Sequence, residues 1–293
     1  MLNNRHLEIF IAVYEEGSMT AAAMKIHMTQ PAVSQTIREI ENEYGTGMFE
    51  RRGPKLFVTQ AGEILYDYAR RIMNLHEALD EKIRLHEGVR QIRVGCNISA
   101  GTAHIIPLQD AFEKLYPDIE LKVNVFQAPV IIKSLMMNEL DIALIEDRKS
   151  GLYPEFVFEP YYEDKIVVVA SDKHRFAGKN VKIEELADEK FLFREKGAGV
   201  RDMFDNILAL RNMNVSVLWE CTSTDAICAA VKRGNGIAVL PYLLVKEQLD
   251  EGKLSEIGLS DVSLTRNLNI VYHKDKAITK PLADFMQLVR EIR

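Results

Sequence analysis

The sequence predicts an α/β protein in which an N-terminal winged helix-turn-helix is followed by a long helix and a two-lobed α/β domain. Two short helical segments, a sharp break and a basic hairpin occupy residues 1–58. An apolar repeat follows over residues 59–88, and short β-branched runs alternate with helical segments over residues 89–293. We expect these three stretches to be the domains, with lobe 1 at about 89–162 plus 267–293 and lobe 2 at about 163–266.

The composition allows two or three domains with sizeable cores, because 47% of the 293 residues are hydrophobic. A net charge of −6 argues against a general polyanion binder but permits one local DNA contact. We find no secretory leader pattern and no apolar run of membrane-spanning length, so we expect a cytoplasmic protein. Cys96, Cys221 and Cys228 lack metal-ligand spacing. We expect them to fill cores, a redox pair of Cys221 and Cys228 being the alternative, and we expect no metal and no cofactor.

The helix-turn-helix prediction begins with cap residues. Ser18 can cap a helix over about residues 19–26, and Thr29 can cap a second helix that continues to about Tyr44. Gly45 is suited to end that second helix, because glycine adopts the left-handed conformation of a helix C-cap without strain.

The second helix has one apolar face and one polar face. Val33, Ile37 and Ile40 recur at helical spacing and predict the buried stripe. Glutamine can pair with adenine and arginine with guanine in the major groove, while hydroxyls and cations suit phosphates. The predicted DNA-contacting residues on the helix are Thr29, Gln30, Pro31, Ser34, Gln35 and Arg38, and those on the wing are Arg51, Arg52 and Lys55. Because the first sixty residues carry six Lys or Arg against seven Asp or Glu, the ordered motif, and not bulk charge, indicates DNA.

The stretch after the wing predicts one long helix. Thr59 can cap it, and it is expected to continue to about Glu87, where Gly88 closes it. The apolar residues of this stretch fit a coiled-coil seam of about three heptads. The seam residues are Leu65, Tyr68, Ile72, Leu75 and Leu79. The alternative is that this stripe packs on the body of its own chain.

From residue 91 onward, strand and helix patterns alternate, which indicates parallel sheets with right-handed crossovers. Expected strands lie at about 92–95, 119–126, 141–146, 165–169, 191–193, 215–220, 236–240 and 268–272. Expected helices lie at about 103–116, 130–138, 201–211, 224–233 and 281–292.

Ligands of open α/β sheets bind outside the carboxyl ends of the strands. The loops at those ends carry hydroxyls, glycines and two arginines that suit an anion, and Glu146 and Asp147 that suit an ammonium group. We therefore expect a small anionic or zwitterionic ligand. The predicted ligand-binding residues are Ser99, Gly101, Thr102, Gln127, Glu146, Arg194, Gly199, Arg201 and Thr222. The alternative is that the hydroxyl residues only cap helices and that Arg201 is a solvated first-turn residue.

The N-terminal motifs resemble the LysR-type transcriptional regulators. The resemblance is carried by the ordered residues of segments 7–13, 18–23, 29–41, 45–51 and 56–62, and in the second lobe by segment 223–241. Gln35, Tyr44 and Gly47 depart from the commoner family residues. The resemblance implies double-stranded DNA as a partner, a small-molecule effector in a periplasmic-binding-protein-like domain, and pairing of two subunits through the linker helix at the seam residues. It also implies a dimer or tetramer whose DNA-bound geometry the effector controls.

Two other classes of protein would account for parts of this sequence. An enzyme would need catalytic residues, but the sequence has no Gly-x-Ser-x-Gly elbow, no His-Glu-x-x-His helix and no Walker phosphate loop, so we expect no enzyme activity. A free-standing two-lobed receptor would explain the lobes but not the first ninety residues.

Overall fold

The computed structural model describes residues 2–52, 55–84, 91–146 and 150–292. They belong to two compact units, residues 1–88 with 136–139 and residues 89–135 with 140–293. No helix in the described part of the chain has the length and apolar character needed to cross a membrane.

The N-terminal unit consists of helices and one hairpin. The elements are α1 (Asn4–Glu16), α2 (Met19–Lys25), α3 (Gln30–Tyr44), β1 (Phe49–Arg52), β2 (Lys55–Val58) and α4 (Gln60–Arg84). The Ser18 hydroxyl accepts a hydrogen bond from the Ala21 amide at 3.3 Å, so it caps α2 as expected. Thr29 stands at the cap position of α3, but its side chain makes no capping hydrogen bond, and that expectation was wrong. Pro31 has no amide hydrogen, so the first turn has one donor fewer to satisfy.

The core of this unit lies between α1, α2 and α3. Val33, Ile37 and Ile40 are buried as the spacing predicts, and they pack with Phe10 of α1 in one cluster. The Glu41 carboxylate accepts the Met48 amide at 2.8 Å and so holds the start of the hairpin against α3. A buried stripe on one side of α3 leaves its other side facing outward.

Helix α4 begins where the sequence predicts. The Thr59 hydroxyl accepts the Gly62 amide at 3.1 Å and caps the first turn. The described helix continues to Arg84, and its expected end at Glu87 and Gly88 lies outside the described residues.

The C-terminal unit is organised around sheets. The strands are β3 (Gln91–Cys96), β4 (Glu120–Val125), β5 (Ile142–Glu146), β6 (Phe156–Ala170), β7 (Asn180–Val181), β8 (Lys190–Arg194), β9 (Ser216–Cys221), β10 (Ile237–Pro241), β11 (Ser255–Leu259) and β12 (Thr265–His273). They run in the order β4-β3-β5-β12-β6-β10-β8-β9, and β11 pairs with β6 and β7.

The helices connect these strands. They are α5 (Ile98–Ala100), a π-helical turn (Gly101–Ile105), α6 (Ile106–Leu115), α7 (Ala128–Met136), α8 (Gly199–Leu210), α9 (Thr224–Lys232), α10 (Tyr242–Asp250) and α11 (Lys280–Arg290). Short 3₁₀ turns occupy Ser150–Leu152 and Ile183–Leu186. Helix α10 and strands β7 and β11 were not among the sequence expectations.

The expectation of parallel sheets holds only within each lobe. Strands β4, β3 and β5 are parallel in lobe 1, and β10, β8 and β9 are parallel in lobe 2. Strands β6 and β12 pair antiparallel with their neighbours, because they carry the chain between the lobes and do not belong to strand-helix-strand units. Residues 156–165 of β6 pair with β12, and residues 166–170 pair with β10 and β11.

Each lobe has its own apolar core. Phe112 and Phe285 meet edge to face in lobe 1, while Phe191, Phe193 and Phe204 pack together in lobe 2.

All three cysteines are free thiols. Cys96 and Cys228 are buried and Cys221 is half-buried. Burial raises the pKa of the Cys96 thiol to about 12. The two buried cysteines pack in hydrophobic clusters, as expected for core residues.

Candidate functional site

The outward face of α3 presents polar side chains in a line. Gln30 and Ser34 are half-buried and Arg38 is exposed, one turn apart from each other. Thr29, Pro31 and Gln35 are also exposed. The Gln35 amide donates to the Glu39 carboxylate at 3.0 Å, so a base contact by Gln35 would have to replace that bond.

The wing strands pair antiparallel, and Arg52 lies opposite Lys55. The side chains of Arg51, Arg52 and Lys55 lie outside the described residues, as do residues 53 and 54. The contribution of the wing therefore stays a prediction.

Helix α4 carries an exposed apolar stripe that differs from the predicted seam at one position. Leu65 is 9% exposed and packs in the N-terminal core with Ala69, so its place in the seam was wrong. Ile64, which the sequence analysis did not select, is 55% exposed. The exposed stripe consists of Ile64, Tyr68, Ile72, Leu75 and Leu79. At about 100° per residue these five span about 80° of the helix, and Leu65 falls about 20° beyond Ile72, on the side that meets the core.

In the C-terminal unit, loops at the carboxyl ends of the strands enclose a cavity of about 280 Å³. Its lining residues come from both lobes and from β12. They are Asn97, Ile98, Ser99, Val125, Phe126, Gln127, Ala128, Glu146, Arg194, Glu195, Gly197, Ala198, Gly199, Val200, Thr222, Pro241, Leu244 and Arg266. Of the predicted ligand-binding residues, the structure brings together Ser99, Gln127, Glu146, Arg194, Gly199 and Thr222.

Three predicted residues do not line the cavity. Gly101 faces the strands, since a Cβ there would lie 3.3 Å from the Cys96 sulfur, and Thr102 is exposed. Arg201 is buried elsewhere in lobe 2. Its guanidinium lies 4.0 Å from the centroid of the Phe193 ring, and its Nε donates to Asp205 at 2.7 Å. Gly101 and Thr102 lie in the π-helical turn and Arg201 lies in α8, so all three follow loops that line the cavity without lining it themselves.

Arg194 enters the cavity already paired. Its Nε and Nη2 donate to the Glu195 carboxylate at 2.8 and 3.0 Å, and its Nη1 donates to the Thr224 hydroxyl at 3.2 Å. Gln127 of lobe 1 donates to the same carboxylate at 2.6 Å. Burial acts to raise the pKa of Glu195, but the hydrogen bond and charge of Arg194, a backbone hydrogen bond and the hydrogen bond from Gln127 together lower the pKa overall. Glu195 therefore holds Arg194 in place and joins the two lobes.

The second arginine of the cavity, Arg266, was not among the predicted ligand-binding residues. Arg266 of β12 lies directly opposite Asp164 of β6, and its Nε and Nη2 donate to the Asp164 carboxylate at 2.9 and 2.8 Å. Its Nη2 also donates to the Ser99 hydroxyl at 2.9 Å. Asp164 is fully buried, and burial raises its pKa although the Arg266 charge acts in the opposite direction. In the sequence, Asp164 and Arg266 are charged residues that each stand beside an apolar strand, and that position was the signal available for finding them.

No cluster of potential metal ligands occurs in the described part of the chain.

Sequence and structure comparisons point to one family. A model of the LysR substrate binding domain matches residues 86–292, and one of the bacterial regulatory helix-turn-helix protein, lysR family, matches residues 4–63. The transcriptional regulator CysL of Bacillus subtilis is 29% identical over 287 residues, which cover 97% of this chain and 95% of CysL.

Solved structures agree with this fold. Full-length CbnR complexed with its target DNA is 18% identical, with a TM-score of 0.68 and 99% of each chain covered. The regulatory domain of CcmR from Synechocystis PCC6803, in complex with 2-PG, is 26% identical with a TM-score of 0.63, covering 68% of this chain and 95% of that domain. The chain therefore belongs to the LysR family of transcriptional regulators, with an N-terminal DNA-binding domain and a C-terminal effector-binding domain.

Proposed function

We propose that a small metabolite with an oxyanion group binds in the cavity of the C-terminal unit and controls how this regulator binds DNA. The observation that carries the proposal is the position of Arg194 and Arg266. They come from separate strands, both are largely buried, and both line one cavity at the carboxyl ends of the sheet. Buried guanidinium groups are suited to carboxylates, phosphates and sulfates. The 2-PG complex of the CcmR domain supports a small ligand at an equivalent domain.

The DNA-reading surface is proposed to be the outward face of α3 with the wing. Its supporting observation is the separation of Val33, Ile37 and Ile40, all buried, from the exposed Arg38 and Gln35 on the same helix. A helix of this kind can place its outward side chains against base edges in the major groove.

Self-association is proposed to use the exposed stripe of α4 that begins at Ile64. Two recognition helices reach two half-sites about one helical turn apart only if two chains are held together. We further propose a cytoplasmic protein that acts without catalysis, as a dimer or tetramer, with domain limits at 58 and 88.

The effector is proposed to act by population shift. Gln127 and Glu195 join the lobes across the cavity, and strands β6 and β12 connect them. A ligand that contacts both lobes has different affinities for different lobe arrangements, and only such a difference can shift their populations.

A thermal-shift screen of small metabolites on the full chain tests the ligand site. A ligand at 100 times its Kd is expected to stabilise the protein by about 2.7 kcal/mol. The Arg194→Gln variant should lose the shift. Arg175→Gln should keep it, because Arg175 pairs with Glu189 on the surface and does not line the cavity. An equal shift in the Arg194→Gln variant would place the ligand elsewhere.

An electrophoretic shift with the DNA upstream of its own gene tests the DNA function. We expect specific retardation that a chain lacking residues 1–58 does not produce. Retardation that does not discriminate between this fragment and random duplex would contradict the proposal.

A further inference from the structure

A gap between two charged atoms lies inside the cavity. The Glu146 Oε1 and Arg266 Nη1 atoms are 4.0 Å apart, and both residues line the cavity. Among the described residues, no hydrogen bond reaches either atom. The Asn97 amide donates to the other oxygen of Glu146, and the remaining Arg266 nitrogens bond Asp164 and Ser99.

Glu146 is paired more weakly than Asp164 or Glu195, because its contact with Arg266 spans 4.0 Å and is not a hydrogen bond. Arg266 is paired with Asp164, and Arg194 is paired with Glu195. Glu146 is 5% exposed and has the Asn97 amide as its hydrogen-bonding partner within the described residues. An ionised carboxylate only accepts hydrogen bonds, so Glu146 Oε1 can accept one from a donor on a ligand.

Gly199 keeps this gap open. A Cβ at residue 199 would lie 2.2 Å from Glu146 Oε1 and 3.1 Å from Arg266 Nη1. The backbone at this position does not require glycine, since its φ is not in the left-handed region. The absence of a side chain at residue 199 therefore leaves room beside Glu146 and Arg266.

We propose that the cavity selects an oxyanion that also carries a hydrogen-bond donor. The donor of the ligand, a hydroxyl or an ammonium group, bonds Glu146 Oε1, and an oxygen of its anionic group accepts from Arg266 Nη1. An anion that only accepts hydrogen bonds would meet the Glu146 carboxylate with repulsion and no bond. This inference rests on the proposed oxyanion site and narrows the class of its ligand.

Two matched pairs of probes test the requirement for a donor. Hydrogen phosphate and sulfate are tetrahedral dianions above neutral pH, but only hydrogen phosphate carries a donor. Glycine and acetate share a carboxylate, but only glycine carries an ammonium group. Thermal-shift titrations of the full-length wild type and of Glu146→Gln, whose amide can donate, give the apparent affinities. Gly199→Ala fills the gap and reports the nonspecific effect of each salt.

We expect the wild type to bind the donor-bearing member of at least one pair about 5- to 150-fold more tightly than its partner. Preference for hydrogen phosphate identifies a donor on the oxyanion itself, and preference for glycine identifies a separate ammonium group. Glu146→Gln should reduce or reverse the preference. Equal binding of both members of each pair by the wild type would overturn the inference and leave the oxyanion site intact. If no probe shifts the wild type or Glu146→Gln more than it shifts Gly199→Ala, the proposed oxyanion site itself is wrong.

Discussion

Two leucines on α4 allow a sharp test of which side of this helix joins two chains. Leu65 is 9% exposed and Leu75 is 58% exposed. Leu65→Ala should create a cavity in the N-terminal core and lower its free energy of unfolding by about 2–5 kcal/mol. Leu75→Ala should change that free energy by no more than about 0.5 kcal/mol.

For self-association we expect the reverse order, with the larger effect from Leu75→Ala. Burying the exposed part of Leu75 contributes about 1–1.5 kcal/mol per chain, and symmetry doubles it to about 2–3 kcal/mol per dimer. Leu75→Ala should therefore raise the dimer dissociation constant about 30- to 150-fold, measured by sedimentation over a concentration series. Asp67→Ala, an exposed substitution outside the stripe, is the control. A dissociation constant that changes with Leu65→Ala but not with Leu75→Ala would refute this assignment of the helix faces.

Three further predictions concern DNA, pH and oxidation. Arg38→Ala should lower the slope of log affinity against log salt for random duplex by about 0.9, whereas Arg5→Ala, whose charge Glu8 balances, should leave it unchanged; equal slopes for the two variants would contradict the reader surface. Burial acts to raise the pKa of Asp141, but hydrogen bonds and charge from Arg93 and Lys276 lower it overall. Asp141→Asn should thus cost about 1–3 kcal/mol at pH 7 in denaturant titration, and the cost should shrink below about pH 4 as the wild-type carboxyl gains its proton; a constant deficit would argue against the ion pairs. Mild peroxide should leave Cys96 unmodified by mass spectrometry of the folded chain, because its thiol is buried with a raised pKa; early oxidation would show that this core opens.

The sequence predicts the helix-turn-helix well because the residue spacing that defines each helix is local. Spacing alone assigns Val33, Ile37 and Ile40 to the buried side of α3, and the structure confirms all three. Leu65 and Ile64 show the limit of the same reasoning. They are adjacent in sequence but lie at opposite edges of one stripe, about 100° apart around the helix. The contact of α4 with α1, which the spacing does not contain, decides which of them is buried.

The candidate site shows a second limit. The rule that ligands meet the carboxyl ends of strands selects the loops of Ser99, Gln127 and Arg194, and these three residues line the cavity. It does not select Arg266, because Arg266 meets Asp164 across 102 residues of sequence. That pairing depends on the register of two antiparallel strands, and both residues lie just outside the strands expected at 165–169 and 268–272. A sequence pattern that identifies strands one at a time does not specify which residues of two strands lie opposite each other.

The position of Arg266 also suggests how a ligand in the cavity can affect the strands that connect the two lobes. The Arg266–Asp164 pair lies one residue from Lys165, after which β6 exchanges its β12 partner for β10 and β11. The same guanidinium bonds Ser99 of lobe 1. A ligand oxygen at Nη1 would therefore bind a guanidinium group that already joins lobe 1 to both crossing strands. Because the proposed shift in lobe arrangement has to be accommodated where these strands pass from one lobe to the other, we expect a ligand at Arg266 to act directly on the element that changes.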